Sequence, residues 1–364
     1  MWKDGRLVIF NRLDAETPVI KSVSNVNLFP CSPGKVFQVG CISAILLSTL
    51  EALADPKRLV KGWKSVSKST MQLIGFERRP VIIAVSNWKP VQGETLAIMV
   101  SVPPAENFID SINLSFRANF CKHSLVEVTF EEERFSAFST STCPNKWRTL
   151  IPLSPLDTTG QRSLIVDVND GRHESFHGVI EVLEKEYPTE TIWLSGNKSG
   201  IHGTQKELDA VKVLVSNRTA KQYWDGSFRL PIHGEVTTEY GLKRCYNGVF
   251  ASGYYHKGID YGAPRGEPVW SPAAARVSLV GREEEGFALH GNCVGLDHGH
   301  GVTSILMHLD TILVENGMVV QAGDLLGTVG DTGLATGPHL HWGLYVHGKA
   351  VDQNQWLIEQ SWLQ

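Results

Sequence analysis

Alternating apolar and polar residues predict a series of short β-strands over residues 80–185. Apolar side chains recur at every second position in two runs, Leu96, Ile98, Val100 and Val102, and Leu164, Val166 and Val168. A period of two places such side chains on one face of a strand. Turn-forming clusters at residues 92–94, 103–104 and 157–160 separate the runs. Repeated short strands over roughly 100 residues are typical of an immunoglobulin-like β-sandwich.

Helical spacing replaces this alternation after the predicted sandwich. Leu208, Val211 and Val215 recur three and four residues apart, as they do on one face of a helix. The segment TQKE at 204–207 has the form of a capping box, in which the threonine caps the helix and a glutamate follows three residues later. The pattern predicts one linker helix from about Gln205 to Asn217.

An uncharged stretch of 15 residues, 36–50, precedes the sandwich. It is too short for a membrane-spanning helix, which needs about 20 apolar residues, so we predict no stable membrane span. Together with the small residues up to Ala54 it is similar to a secretory signal, and we expect segment 36–54 to direct export. Because 35 residues precede it, a targeting peptide for an organelle and a structural helix remain alternatives. Export would place the protein outside the cytoplasm, and a targeting peptide would place it in a plastid.

Composition mainly excludes classes of function. A chain of 364 residues with 42% hydrophobic and 20% charged residues is globular and long enough for two domains. The formal charge of -4 and the lack of a Lys/Arg run give no basis for nucleic-acid binding. None of the six cysteines forms a CxxC pair, which argues against a thiolate zinc site. Cys121 and Cys143 are either bridged or two separate buried thiols.

Two short segments carry the candidate chemistry, YHKGIDY at 255–261 and GPHLHW at 337–342. We interpret both as strands, on which residues two or four apart project from the same face. His256 and Asp260 are then side by side, as are His339 and His341. If the two strands pack together, they bring two imidazoles and one carboxylate to one point. With a fourth position open to water, this is the ligand set of a catalytic zinc site.

A further HxH pair shows that the pattern alone is weak evidence. His298 and His300 lie in a Gly-rich segment beside Asp297, and we interpret them as turn or surface histidines. The chain also has no HExxH motif, so no glutamate lies beside a zinc ligand to act as the base. A histidine must therefore exchange the proton, which its reference pKa of about 6.5 suits.

These segments, with three motifs between them, resemble the lysostaphin/LytM metallopeptidases of peptidase family M23. The resemblance covers residues 231–356 and rests on HKGIDYGAP (256–264), LMHL (306–309), AGD (322–324), GDTG (330–333) and GPHLHW (337–342). It implies that zinc is bound by His256, Asp260 and His341. It implies that His339 and His308 are the catalytic histidines, which steer the attacking water and stabilise the oxyanion. Two residues depart mildly from the family pattern, Leu306 and His300.

The resemblance also implies a fold and an activity. We expect a mainly β protein made of an immunoglobulin-like sandwich, a linker helix and a small antiparallel β peptidase domain with an open groove. The predicted segments are 1–79, 80–185, 186–228 and 229–364. The implied activity is zinc-dependent hydrolysis of peptide bonds in the stem or cross-bridge peptides of peptidoglycan, in the periplasm or cell wall.

Two other classes of protein fit parts of the sequence. One is a catalytically idle protein of the same fold that binds the cell wall or activates another hydrolase, against which the complete set of five residues argues. The other is a biotinyl-type carrier domain, which the turns at 320–330 resemble. A carrier needs a modified lysine at a hairpin tip, and no lysine lies between Lys257 and Lys349.

Overall fold

The computed structural model of the protein describes residues 2–3, 6–9, 21–22, 81–102, 126–140, 143–169, 174–193 and 202–360. The predicted export segment 36–54 and Cys121 lie outside the described residues. Near the start of the chain, three short strands form an antiparallel sheet, β1 (Trp2–Lys3), β2 (Arg6–Ile9) and β3 (Lys21–Ser22). Within the described ranges, no helix has the length and the apolar character that crossing a membrane requires.

The predicted β-sandwich is present as two four-stranded antiparallel sheets. Its strands are β4 (Ile82–Val85), β5 (Thr95–Ser101), β6 (Val126–Phe130), β7 (Glu133–Ser136), β8 (Phe138–Thr140), β9 (Cys143–Pro152), β10 (Gly160–Val168) and β11 (Glu174–Val182). One sheet has the order β11-β10-β6-β7 and the other the order β4-β5-β9-β8. Both apolar runs predicted from the sequence are buried in one shared core, which confirms the strand assignment. An immunoglobulin-like relationship stays a prediction.

The predicted linker helix is α1 (Gln205–Val215), which ends two residues earlier than expected. Thr204 caps it, because its Oγ1 accepts a hydrogen bond from the Glu207 amide at 3.2 Å. The helix packs on strands of the C-terminal β region. Leu214, together with Trp224 and Phe228 further along, belongs to the hydrophobic core of the C-terminal β region. The segment between the two β regions is thus built into the second of them.

The C-terminal region is made of strands, as the sequence predicts. These are β13 (Glu235–Thr238), β14 (Lys243–Tyr246), β15 (Val249–Phe250), β16 (Ile259–Gly262), β17 (Pro268–Trp270), β18 (Ala275–Gly281), β19 (Asn292–Gly299), β20 (Val302–Ile312), β21 (Val319–Val320), β22 (Leu325–Val329), β23 (His339–Val346) and β24 (Lys349–Ala350). Short 3-10 turns cover Glu283–Glu285 and Gln353–Gln355.

One antiparallel sheet positions the candidate site. It runs β13-β16-β23-β20-β19-β18-β21, with β17 and β22 attached through β20 and β24 attached to β23. The long strand β23 therefore lies between β16 and β20 in the middle of the sheet. A separate small sheet joins β12 (Thr189–Ile192), β14 and β15, with β12 and β14 parallel. The boundaries 186–228 and 229–364 stay predictions.

The sandwich and the C-terminal region form one compact unit. The Thr95 amide donates to Gln355 Oε1 at 2.6 Å, and Gln355 Nε2 donates back to the Thr95 carbonyl at 3.0 Å. Trp356 Nε1 donates to the Thr95 hydroxyl at 3.1 Å. On the buried side of the contact, Arg148 of β9 donates to His300 Nδ1 at 3.0 Å. Paired and buried polar groups of this kind fix one arrangement of the two regions.

Candidate metal centre and active site

Strands β16 and β23 bring Asp260 and His341 face to face. The two residues are direct partners in the antiparallel register. Alternation along β23 explains the direction of His341, because Leu340, Trp342 and Leu344 are fully buried in the core. His339 and His341 therefore project from the opposite face of the sheet, as the HxH spacing predicts.

His256 reaches the same point from outside the sheet. Strand β16 begins only at Ile259, so the prediction that a strand runs through His256 and Asp260 together is wrong at His256. The chain crosses β23 closely here. A Cβ atom on Gly258 would lie 2.5 Å from the Trp342 carbonyl oxygen and 2.6 Å from His341 Nε2. Only glycine allows this approach, and the loop rather than a strand carries the imidazole into place.

Three ligand atoms converge within hydrogen-bonding distance of one another. His256 Nε2 lies 3.1 Å from Asp260 Oδ1 and 3.1 Å from His341 Nδ1, and His341 Nδ1 lies 2.7 Å from Asp260 Oδ1. All three residues are buried, at 7% exposure or less. Within the described chain they form a group that could hold a metal ion.

The protonation of these groups fits a cation between them. His256 Nδ1 lies 2.8 Å from the Glu239 carbonyl, which can only accept, so the neutral ring turns the lone pair of Nε2 into the cluster. Burial by itself raises the pKa of Asp260, but the hydrogen bonds from His256 and His341 outweigh it and hold that pKa well below its usual range. Burial lowers the pKa of His341 to about 4, so this ring is neutral at pH 7. Neutral imidazoles and carboxylates are ligands that zinc prefers.

Arg244 holds the second oxygen of the carboxylate, a contact that sequence reasoning missed. One of its guanidinium nitrogens lies 3.4 Å from Asp260 Oδ2, while Oδ1 faces the two histidines. Its Nε lies 3.6 Å from the Glu190 carboxylate of the neighbouring strand β12. Groups behind a metal ligand orient it. The spacing of Arg244 from the motifs gives no signal, because its role depends on the parallel pairing of β12 and β14.

His308 lies where β20 changes its partner strand. Met307 pairs with His341 of β23, but Leu309 pairs with Val329 of β22. Between them His308 has a φ of 63°, in the left-handed region that non-glycine residues seldom adopt. Its amide donates to the His290 carbonyl at 3.1 Å, which holds the bend.

The two predicted catalytic histidines face each other beside the ligand cluster. Their ring centroids are 4.7 Å apart, and the ring of His308 is 6.3 Å from that of His341. His308 Nδ1 donates to the Thr332 carbonyl at 2.9 Å, and His339 Nδ1 donates to the Gly337 carbonyl at 2.8 Å. In the neutral form of either ring, a proton on Nδ1 leaves Nε2 as an acceptor. Burial, with the adjacent His339 and His341, lowers the pKa of His308 to about 3.

His298 and His300 stand apart from this cluster, but they are not surface residues. Both are at most 1% exposed, which corrects the surface interpretation. His298 bonds to the Ala274 carbonyl at 3.1 Å and to Ser304 Oγ at 2.8 Å. His300 has a φ of 53° and bonds to Arg148, so its place in a turn is confirmed. Polar side chains were expected at the surface, but these two are buried because hydrogen bonds to protein groups replace their hydrogen bonds to water.

The burial of His298 predicts acid sensitivity of the fold. Burial lowers its pKa to about 4, so the unfolded chain takes up the proton first as the pH falls below about 6.5. Stability is therefore lost on acidification. Between pH 7 and pH 5, the titration of this one ring is expected to lower the free energy of unfolding by about 2 kcal/mol. Denaturant titrations at pH 7 and pH 5 measure the loss.

Substitutions separate this ring from the others. In a His298→Gln protein, the loss of unfolding free energy between pH 7 and pH 5 is expected to be smaller by about 2 kcal/mol, because the titrating group is gone. The matched control is His177→Gln, since His177 is exposed on β11. An unchanged pH dependence in His298→Gln would contradict the assignment.

Comparison with known proteins places this geometry in a family. The sequence model of Peptidase family M23 matches residues 254–353, which contain all five candidate residues. An uncharacterized metalloprotease of Haemophilus influenzae is 38% identical over 97 residues, covering 27% of this chain and 20% of that protein. The peptidoglycan DD-endopeptidase ShyA of Vibrio cholerae is 36% identical over 97 residues, covering 27% of this chain and 22% of that protein. The chain therefore spans about a fifth of the length of the curated relatives it matches.

The fold comparison extends beyond the matched segment. A crystal structure described as that of a peptidase M23 from Pseudomonas aeruginosa superposes with a TM-score of 0.51 at 21% sequence identity. It covers 74% of this chain and 95% of that chain, and at this identity it bears on the fold alone. Residues 254–353 of this chain thus match Peptidase family M23.

Proposed function

We propose that this protein is a zinc-dependent endopeptidase that hydrolyses peptide bonds in the stem or cross-bridge peptides of peptidoglycan. The observation that carries the proposal is the convergence of His256 Nε2, Asp260 Oδ1 and His341 Nδ1 beside two further histidines whose Nδ1 atoms bond to backbone carbonyls. The peptide substrate is supported by the relative in Vibrio cholerae, whose name describes a peptidoglycan DD-endopeptidase. The metal is supported by the relative named as a metalloprotease.

In this proposal His256, Asp260 and His341 hold the zinc ion. Zinc bound there supplies Lewis acidity, which polarises the scissile carbonyl and makes water a better nucleophile at neutral pH. The residues that hold the ion are fixed by the Glu239 carbonyl behind His256 and by Arg244 behind Asp260. Such support keeps the ligand geometry from relaxing between turnovers.

The two other histidines have different roles, since His308 orients the attacking water and His339 exchanges the proton. With a pKa of about 3, His308 stays neutral, so its Nε2 accepts a hydrogen bond and orients the attacking water. Stabilisation of the oxyanion, which the family resemblance also implies for these histidines, stays a prediction. His339 is only half-buried and its Nε2 is free to take the proton from the water. Protonated, the ring then donates to the nitrogen of the leaving amine as the C–N bond breaks.

Digestion of purified peptidoglycan tests the function directly. We expect the protein to release peptide-cleaved fragments, which mass spectrometry assigns to a stem or a cross-bridge bond. A chelator is expected to abolish the release, and added zinc to restore it, because a removable ion is required. Cleavage that persists after complete metal removal would contradict the zinc mechanism.

The same digestion separates the proposal from the idle-protein alternative. A cell-wall binding protein without activity would sediment with peptidoglycan and release no fragments. The substrate also implies a location outside the cytoplasm, in the periplasm or cell wall, which cell fractionation tests.

A further inference from the structure

The linker helix carries a carboxylate that is completely buried. Glu207 has no exposed surface, although it lies on α1, outside the family-matched residues 254–353. Its Oε1 and Oε2 accept from the Leu289 amide at 3.1 and 3.2 Å, and Oε1 lies 3.3 Å from His290 Nδ1. A buried carboxylate is costly unless its partners are fixed. Glu207 therefore fixes the position of the helix against the segment 285–290.

Neighbouring residues of the helix start clamp the same segment. Thr204 Oγ1 donates to the Gly286 carbonyl at 2.7 Å, and Lys206 Nζ donates to the Glu285 carbonyl at 2.8 Å. In a reciprocal capping box the Glu207 side chain would return to the amide of Thr204. It bonds to Leu289 and His290 instead. The carboxylate of Glu207 thus bonds to a neighbouring segment and not to the backbone of its own helix.

The segment held by Glu207 supports His308 in two ways. The carbonyl of His290 accepts from the His308 amide at 3.1 Å. The carbonyl of Leu289 accepts from the Leu334 amide at 3.0 Å, and so fixes the loop at 332–334. The Thr332 carbonyl of that loop accepts from His308 Nδ1 at 2.9 Å. Both the backbone and the imidazole of His308 are therefore bonded to groups that this segment positions.

The contact between the two loops is close enough to transmit a displacement. A Cβ atom on Gly291 would lie 2.5 Å from the Thr332 carbonyl oxygen, so the backbones touch. The Asn292 amide also donates to Thr332 Oγ1 at 2.9 Å. The segment 285–290 and the residues that follow it, Gly291 and Asn292, cannot shift without moving Thr332, since no free space separates the two loops.

His308 needs this external support. Its left-handed backbone is unfavourable for a residue with a side chain, and such a conformation persists only where the surroundings enforce it. We infer that Glu207 is a positioning residue for His308, acting through Leu289 and His290. The inference rests on the proposed catalytic role of His308. It extends the catalytic unit upstream to the helix at 205–215.

Kinetics of three variants test the inference. In Glu207→Ala we expect kcat to fall about 100-fold, the loss typical of a displaced catalytic group, with KM and zinc content unchanged. Glu207→Asp keeps the charge but is one methylene shorter, so we expect an intermediate fall in kcat. Glu207→Gln keeps an oxygen that can accept from the Leu289 amide, and should restore most of the activity. The control Asp209→Ala, an exposed residue of the same helix, should match the wild type.

A merely structural role predicts a different result. It would lower the unfolding temperature while leaving kcat at 25 °C unchanged in folded Glu207→Ala or Glu207→Asp, and this outcome would overturn the inference. A rise in KM with constant kcat would also overturn it, because positioning of a catalytic group acts on turnover.

Hydrogen exchange supplies a readout that needs no activity. The amides of Leu289 and His308 should exchange at least about 10-fold faster in Glu207→Asp than in the wild type, since their acceptors are loosened. Asp209→Ala should leave both rates unchanged. If the wild-type protein fails to cleave peptidoglycan, the proposed function falls, yet these rates still decide the link between Glu207 and His308. Unchanged exchange at His308 would reject the link.

Discussion

Zinc and peptidoglycan cleavage are expected to disappear together in the His341→Ala protein. His341 supplies one of three convergent ligand atoms, and its Nδ1 lies closest to the carboxylate, at 2.7 Å from Asp260 Oδ1. Loss of a group behind a ligand weakens metal binding about 10- to 100-fold, so loss of the ligand itself should exceed that. Metal analysis of the purified variant, beside cleavage assays, measures both effects. His256→Ala and Asp260→Ala should behave alike.

The control for the ligand variants is another buried histidine. His298→Gln removes a ring that is as buried as His341 but bonds to Ala274 and Ser304. Zinc content should remain about one per chain in this variant, because it supplies no atom to the cluster. Wild-type zinc content in His256→Ala or His341→Ala would show that the ligands have been misassigned.

His339→Ala and His308→Ala are expected to keep their zinc and lose their turnover. Neither ring contributes an atom to the metal-binding group, although His339 lies two residues from His341 on β23. A placed acid–base group such as His339 contributes on the order of 100- to 10,000-fold in rate, and loss of a group that orients the attacking water, such as His308, costs about 100-fold. The loss should appear in kcat and not in KM, because the interactions are strongest in the transition state. Steady-state kinetics on a defined stem peptide, with metal analysis of the same samples, provide the test.

Two results would reject this division of roles. A His339→Ala protein without metal would mean that His339 and His341 have exchanged functions. A His308→Ala protein that cuts at the wild-type rate would mean that the neutral Nε2 of His308 touches no reacting atom. Adding imidazole provides a further comparison, since rescue is expected only where a proton-exchanging ring has been removed and the zinc remains.

Sequence periodicity was sufficient to predict the strands of the sandwich and the start of the helix. Strand β10 buries every second residue from Leu164 to Val168, so the period of two shows directly in its composition. In β5 the residues 95–98 are all buried, although the apolar residues still occupy alternate positions. Thr204 lies at the helix start because its side chain bonds within three residues. Both signals are local. Local patterns do not contain the pairing of β12 with β14 across 54 residues, or the contact of Arg244 with Asp260.

The candidate site was predicted in its composition and missed in part of its geometry. The HxH spacing gave the correct strand face for His339 and His341, because β23 is regular over its whole length. His256 was placed on a strand, whereas the close crossing at Gly258 keeps β16 from extending back to it. Glu207 appeared only as a capping residue. Sequence shows that a side chain can reach its own helix end, but not that the amide of Leu289 lies within hydrogen-bonding distance of it.

Because β23 lies in the middle of the sheet, the sheet is completed late during synthesis of the chain. Strands β16 and β20 are made first, yet each pairs with β23, so both keep an open edge until residue 346 has emerged. Open edges recruit other chains, which makes this interval the one most prone to aggregation. His341 arrives with the strand that closes the gap, and the contact from Thr95 to Trp356 spans 261 residues. Pairings this distant form late. A nascent chain therefore lacks one residue of the candidate metal-binding group until its sheet is complete.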